Sequence, residues 1–298
     1  MLPESTYFIV GPTASGKSAR AVDHALRVGG EIVNADAFQL YAGMDILTAK
    51  PSAAEQAAVP HHLYGVLPLT QSCDAQRYHE MALPVIQDIA RRGKVPVVVG
   101  GSGLYLKSLT HGLAPLPQGD EAMREKLRAR PLEEKVAELL ALDPQAAETV
   151  NLRNPRYVER ALEICLLTGK PQSELRRSFS DQEPVLRGIC LCWPREELCR
   201  RIDARTIQMF ESGLIDEVAA LGPLSPTAEK AIGIREVRAL LAGESTREEA
   251  ISAMQAATRQ YAKRQATWFR REKCFQPLNM PEAGAMETAQ PSTLNLEP

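Results

Sequence analysis

Residues 11–18 read GPTASGKS, and no other stretch restricts the fold so tightly. The pattern G-x-x-x-x-G-K-[ST] folds the backbone around a polyphosphate. Its glycines permit the tight path, and amides at the start of the following helix point at the anion. Lys17 adds a point charge, and Ser18 adds a hydroxyl for Mg2+. The motif works only between a strand and a helix, and both are here. YFIVG precedes it, and SARAVDHALRV follows with Val22, Ala25 and Leu26 on one helical face, ended by Gly29-Gly30. This establishes polyphosphate binding and leaves open which polyphosphate.

The rest of the chain fits the same class. EIVNA reads as a second strand. RYHEMALPVIQDIARRG reads as a helix with Tyr78, Met81, Ala82, Val85 and Ile89 on its stripe, kinked by Pro84 or starting near it. VPVVVGG is the β-branched run of a strand buried on both faces of a parallel sheet, and GLYLKSLTHG returns as a helix. The expectation is an α/β fold: a P-loop NTPase-like parallel sheet core with a helical insertion domain and a helical C-terminal region. Residues 1–116 are the first part of the core. Residues 117–184 are charged and helical, with an apolar stripe from Leu175 and ALEICLLTG. Residues 185–276 resume the core with the strand LRGICLCW and run on in helices, and 277–298 read as a disordered tail.

At 298 residues and 44% hydrophobic, the chain can bury a sizeable core, and a formal charge of −2 confines any nucleic-acid surface to a local patch. The six cysteines are scattered without a C-x-x-C pair, which argues against a sulfur-ligated metal and fits a reducing, cytoplasmic compartment. Cys190 and Cys192 are expected on one strand face. The start of the chain carries neither a basic leader nor a long apolar segment, so no membrane association is expected.

One acid stands out. Magnesium-dependent NTPases and kinases usually place a carboxylate at the end of a second strand, yet VPVVVGG ends in glycines and GICLCW ends without an acid. The strand-end carboxylate is Asp36, in EIVNADAFQLYAGMDILTAKP. It is a displaced magnesium ligand, a general base, or a turn-forming Asp that caps a helix over AFQLY.

GPTASGKS, NADAFQLYAGMDILTAKP, PHHLYGV, VVVGGSGLYLKSL, NPRYVERALEICLLTGKPQSEL, RIDARTIQMFESGLIDEV and KRQATWFRR together resemble the tRNA dimethylallyltransferase (isopentenyltransferase) family, in its order and spacing, over nearly all of residues 6–275. The resemblance implies transfer of a dimethylallyl group from its diphosphate to the exocyclic N6 amine of the adenosine 3′-adjacent to a tRNA anticodon. The anticodon stem-loop and dimethylallyl diphosphate are the implied partners, Mg2+ the cofactor, and a monomer the expected state. On the family pattern the base falls on Asp36, a threonine near the reacting centre on Thr13, and the diphosphate-binding arginine on Arg205. Gly11, Pro12, Thr13, Ala14, Ser15, Gly16, Lys17 and Ser18 become the diphosphate loop. A base suits an amine that turns acidic only as it bonds to carbon, and the loop suits a leaving group that gathers charge. The chain departs from the family at Ala37 (usually Ser), Leu47 (usually Gly) and Ser102 (usually Thr). Leu47 requires that the backbone there avoid positive φ.

The same resemblance assigns tRNA contact to Asp36, Ala37, Phe38, Gln39 and Ser102, to Arg156 and Arg160 of the insertion, to Lys230 and Arg235 around Gly233, and to Lys263, Arg264 and Arg270. The last three lie in RQYAKRQATWFRREK, where Arg259, Lys263 and Arg270 are expected on one helical face. A solvated helix face is the plain alternative for this charge. Three other functions compete: a small-molecule kinase, an adenylate isopentenyltransferase acting on free nucleotide, and a non-enzymatic RNA-binding protein.

Overall fold

The computed structural model describes residues 1–112, 116–117, 119–177 and 186–281. Contacts divide the chain into two compact units, one of residues 1–110 with 184–298 and one of residues 111–183.

In the first unit, β1 (Tyr7–Val10) runs into the phosphate loop and α1 (Lys17–Val28). Then come β2 (Gly30–Asn34), α2 (Ala53–Ala58), the short β3 (His61–His62), α3 (Ala75–Arg91), β4 (Val95–Gly100) and α4 (Gly103–Thr110). The second unit holds α5 (Glu121–Arg128), α6 (Leu132–Leu142), α7 (Ala146–Thr149), α8 (Pro155–Thr168) and α9 (Gln172–Arg177). The chain returns to the first unit with β5 (Arg187–Cys192), α10 (Arg195–Glu211), α11 (Leu214–Ala219), a 3-10 turn at Ala228–Lys230, α12 (Ile234–Leu241), α13 (Arg247–Phe269) and β6 (Gln276–Asn279).

The six strands form one sheet in the order β3-β2-β4-β1-β5-β6, every pair parallel. The chain leaves β1 toward β2 and comes back past it to β5. The carboxyl end of β1 is therefore where connections diverge, the crevice in which such sheets bind ligands. β2 and β4 are buried almost throughout, and the apolar β4 reads as a strand covered on both faces. One face carries Ile9, Ile32, Val97, Val99 and Leu191 against Ala21 and Ala25 of α1. Phe8 alternates to the other side and meets Phe275.

Helix starts follow their chemistry. The Ser52 and Thr246 side chains each close a capping box with the glutamate three residues on. Asn154 caps α8 just before Pro155.

Four expectations are corrected. Leu26 is 58% exposed, and His24 joins Ala21 and Ala25 on the buried face of α1. On α3 the buried stripe is Ala75, Tyr78, Ala82, Ile86 and Ile89. Met81 and Val85 lie at its margins, and Pro84 sits inside the helix. Pro277 opens no tail: β6 pairs in parallel with β5 through Ile189–Gln276 to Cys192–Asn279. Proline is tolerated there because β6 is the sheet edge. The tail beyond residue 281 lies outside the described residues. No helix forms over AFQLY, which is a turn. Cys190 and Cys192 do share a strand face, the Cys192 thiol 3.5 Å from the Cys190 carbonyl oxygen.

The second unit has its own core of Leu127, Leu139, Val158, Ala161, Leu162 and Cys165. Beside it the fully buried Glu163 accepts from Arg124 at 2.9 Å, Arg160 at 2.5 Å and the Asp120 amide at 2.8 Å. A buried carboxylate requires such partners.

Candidate active site

The site grows from the carboxyl ends of β1, β2 and β4 and is closed by α10 and α13. Gly11 (φ 151°) and Gly16 (φ 84°) take backbone conformations that favour glycine, and Ala14 (φ 62°) enters the left-handed region without being one. The positive end of the α1 dipole starts at Lys17, against the loop.

Side chains from distant elements hold the loop. Trp193 Nε1 donates to Ser15 O at 2.8 Å. Arg201 Nε donates to Ala14 O at 2.8 Å, and its guanidinium lies 4.5 Å over the Trp193 ring. The Thr13 amide donates to Gln265 Oε1 at 2.8 Å. Gln265 Nε2 donates to Gly101 O at 2.9 Å, tying the loop to the end of β4. Gly101 must lack a side chain, because a Cβ there would lie 2.4 Å from Gln265 Nε2 and 2.8 Å from Gly11 O.

Charge concentrates here. Lys17 Nζ donates to Pro12 O at 3.2 Å. Burial pulls its ammonium down to about 8, with Asp36 opposing the fall and Arg205 adding to it. Arg205 Nη2 donates to Thr13 Oγ1 at 2.6 Å. Burial lowers this guanidinium too, and the Asp36 carboxylate counteracts it.

Asp36 is fixed by its neighbours. Ala35 N donates to Val99 O at 2.7 Å. The Asn34 side chain accepts from Asp36 N at 2.8 Å and donates to Asp36 O and Leu63 O at 3.1 and 2.9 Å. Asp36 Oδ1 accepts from Phe38 N at 3.0 Å. The turn-forming role is real, therefore, and it caps no helix.

Thr13, Asp36 and Arg205 line one cleft of about 530 Å³, open solvent included. Leu47, Met209, Ile232 and Met254 add apolar lining to it, interleaved with Thr48, Thr206 and Thr258, and Tyr261 completes it. Burial, then the Asp36 charge, hold the Tyr261 phenol well above its ordinary value. Leu47 is not among the residues of positive φ; Ala49, two residues on, takes φ 50° instead. The Glu217 carboxylate accepts from the amides of Asp45, Ile46 and Leu47, each at 2.8 Å, and fastens this loop.

The remaining candidates fall into groups. Phe38 lines the cleft. Ala37 N donates to Ser102 Oγ at 2.9 Å. Gln39 Nε2 turns inward to Thr48 O and Ala49 O at 3.0 and 2.9 Å. Lys263 and Arg264 are exposed on α13, and Arg270 is exposed at its C-terminal cap. Arg259 is drawn off their face to Asp203 on α10. Lys230 and Arg235 are exposed, Arg235 pairing with Glu236 at 2.9 Å. In the second unit Arg156 is exposed, whereas Arg160 is engaged with Glu163 and with Pro117 O at 2.8 Å.

Sequence reasoning missed Arg201, Gln265, Tyr261, Met209 and Met254. Two pairs had a signal in their spacing. Arg201 and Arg205 stand four apart on α10, as do Tyr261 and Gln265 on α13, so each pair shares a helical face.

The IPP transferase family model matches residues 39–272. The chain belongs to this family. The transferase is 42% identical over 273 residues to the tRNA dimethylallyltransferase of Akkermansia muciniphila, covering 92% of each chain. It is 44% identical to that of Geobacter metallireducens, over 90% of this chain and 91% of that one. The tRNA isopentenylpyrophosphate transferase of Bacillus halodurans superposes with a TM-score of 0.69 at 38% identity, covering 93% of this chain and 90% of the other. A eukaryotic dimethylallyltransferase captured acting on tRNA has a TM-score of 0.79 at 26% identity, over 95% of this chain and 75% of that one. Among the described residues of the transferase, no helix is long and apolar enough to cross a membrane.

Proposed function

We infer that this transferase moves a dimethylallyl group from dimethylallyl diphosphate to the N6 amine of the adenosine 3′ of a tRNA anticodon. The observation that carries this reading is the cleft in which Asp36, Thr13 and Arg205 share the lining with Leu47, Met209, Ile232 and Met254 beside the phosphate loop. A phosphoryl donor needs no such apolar groups; an allylic chain does.

In this reading the diphosphate occupies residues 11–18. The Ser15 hydroxyl, buried there without a hydrogen-bond partner, supports an anion in the loop. The allylic C–O bond breaks and its electron pair leaves with the diphosphate, whose charge Lys17 and Arg205 offset. The amine nitrogen bonds to the allylic carbon, and Asp36 takes the amine proton. Met209, Met254, Ile232 and Leu47 keep water from the allylic cation character that develops.

A magnesium ion fits this donor set as a companion of the diphosphate. No group of three or more His, Cys, Asp or Glu side chains able to hold a metal is gathered among the described residues. Ser18 and the donor's own oxygens would hold it. When bound, it would neutralise charge on the leaving group.

The acceptor surface consists of Asp36, Ala37, Phe38, Gln39 and Ser102 around the extruded base. Arg156, Lys230, Arg235, Lys263, Arg264 and Arg270 serve as exposed phosphate contacts. Arg160 braces the buried Glu163 within the helical unit that carries Arg156. The protein acts in the cytoplasm as a monomer.

The test is the acceptor. Unmodified tRNA and AMP are incubated in parallel with dimethylallyl diphosphate and magnesium, and the nucleosides are analysed by mass spectrometry. Dimethylallyl-adenosine in tRNA alone supports the reading. Product from AMP alone favours the free-nucleotide enzyme, and ATP turnover without prenyl product favours a kinase.

A further inference from the structure

Gln265 is 5% exposed and lies on α13, 252 residues along the chain from Thr13 of the phosphate loop. Its amide is used at both ends. The oxygen accepts a hydrogen bond from the Thr13 amide at 2.8 Å, and the nitrogen donates one to Gly101 O at 2.9 Å. One partner is a donor and the other an acceptor, so the orientation of the amide is settled. The fit is tight: Gly101 cannot carry a Cβ beside it.

The consequence concerns Thr13. Its backbone amide is spent on Gln265 and is not free for the donor's phosphates. Its side chain receives Arg205 Nη2 at 2.6 Å. A chain of contacts therefore runs Gly101–Gln265–Thr13–Arg205. It starts at the rigid end of β4 and finishes at the guanidinium that faces the cleft. Arg205 is desolvated, and a long side chain aims a charge accurately only if its partner is itself held.

We propose that Gln265 is a positioning residue for the leaving group: it fixes Thr13 so that the Thr13 hydroxyl orients Arg205. This rests on the transfer reaction proposed above. A neutral amide is the group the place requires. A glutamate would present an acceptor to Gly101 O and a negative charge beside the diphosphate, and an apolar residue would leave the Thr13 amide and Gly101 carbonyl without partners.

A double-mutant cycle separates positioning from scaffolding. Gln265→Leu, Thr13→Ala and the double variant are assayed for donor kcat/KM at saturating tRNA, with each thermal midpoint measured alongside. Thr13→Ala keeps the backbone amide and its bond to Gln265 but removes the hydroxyl that reaches Arg205. If Gln265 acts through that hydroxyl, Gln265→Leu lowers donor kcat/KM by roughly 10- to 100-fold in the wild-type background. In the Thr13→Ala background it then costs less than about threefold. An equal loss in both backgrounds, or no loss in either, overturns the proposal. Gln265→Asn, which keeps the polarity but is one methylene too short, is run through the same cycle and decides the matter if the leucine variant does not fold. The cycle is repeated as affinity for inorganic diphosphate without tRNA, where the same pattern of losses is expected and equal losses again count against the proposal. If the wild type makes no prenylated tRNA, the transfer reading fails, and this binding cycle still decides the role of Gln265.

Discussion

The clearest quantitative consequence of the site lies in Lys17. The residue is partly buried, its ammonium donates to Pro12 O in the loop, and burial brings its pKa down to about 8. A diphosphate in the loop restores a negative partner and so favours the charged form. The free protein then binds the donor only in the fraction whose Lys17 is protonated, and apparent affinity falls in proportion to that fraction. At pH 7 that fraction is about nine-tenths, and at pH 9 about one-tenth, so the Kd for dimethylallyl diphosphate should weaken about tenfold between them. The donor contributes no titration of its own there, since phosphate esters lose their last proton near pH 6. Calorimetry without tRNA prevents turnover and reads both Kd and proton uptake. Uptake should approach one proton per donor bound at pH 9 and nearly vanish at pH 7. Lys17→Arg, which stays charged throughout, should flatten the profile. A wild-type Kd that is the same at pH 7 and pH 9 would refute the reasoning.

Other outcomes follow from the same geometry. Arg205→Ala should lower donor kcat/KM by about 10²- to 10³-fold, read in steady-state kinetics, because one preorganised contact to the developing charge is lost. Lys263→Gln, Arg264→Gln and Arg270→Gln together should reduce the log–log salt slope of tRNA binding by about 2 to 2.7, at 0.7–0.9 per phosphate contact. Donor affinity should not change, and an unchanged slope would make this face of α13 a solvated one. Arg259 is left out of that set because it pairs with Asp203. Glu163→Ala should destabilise the helical unit by about 1–3 kcal/mol in urea unfolding, since it removes a buried, multiply bonded carboxylate while Arg124 and Arg160 remain within reach of solvent.

What the sequence disclosed were features in which one short stretch carries its own context. The phosphate loop could be read because strand, glycines, Lys17 and helix are contiguous. Asp36 could be read because a strand-end acid is rare in this chain. The parallel sheet could be read from the unbroken β-branched run at Val97–Val99. What stayed hidden depended on surfaces that meet only in three dimensions. Gln265 looks like any polar residue of a basic helix until α13 is laid against Thr13 and Gly101. Arg259 looks like its neighbours Lys263 and Arg270 until α10 presents Asp203. Leu26 follows the apolar pattern of α1, yet the sheet accepts the smaller Ala21 and Ala25, and Leu26 is left outside. Pro277 and its polar surroundings discouraged a strand, but an edge position beside β5 removes the objection.

The central claim is that the phosphate loop clamps a departing diphosphate while Asp36 removes the amine proton. Single-turnover prenyl transfer by Asp36→Asn, measured with tRNA and dimethylallyl diphosphate both prebound, tests it most directly. Asparagine keeps the shape and the Phe38 turn contact but cannot accept the proton. The account predicts a loss of about 10²- to 10⁴-fold in the transfer rate, with both dissociation constants within about threefold of wild type. Transfer near the wild-type rate would contradict it and leave Asp36 as a turn-former.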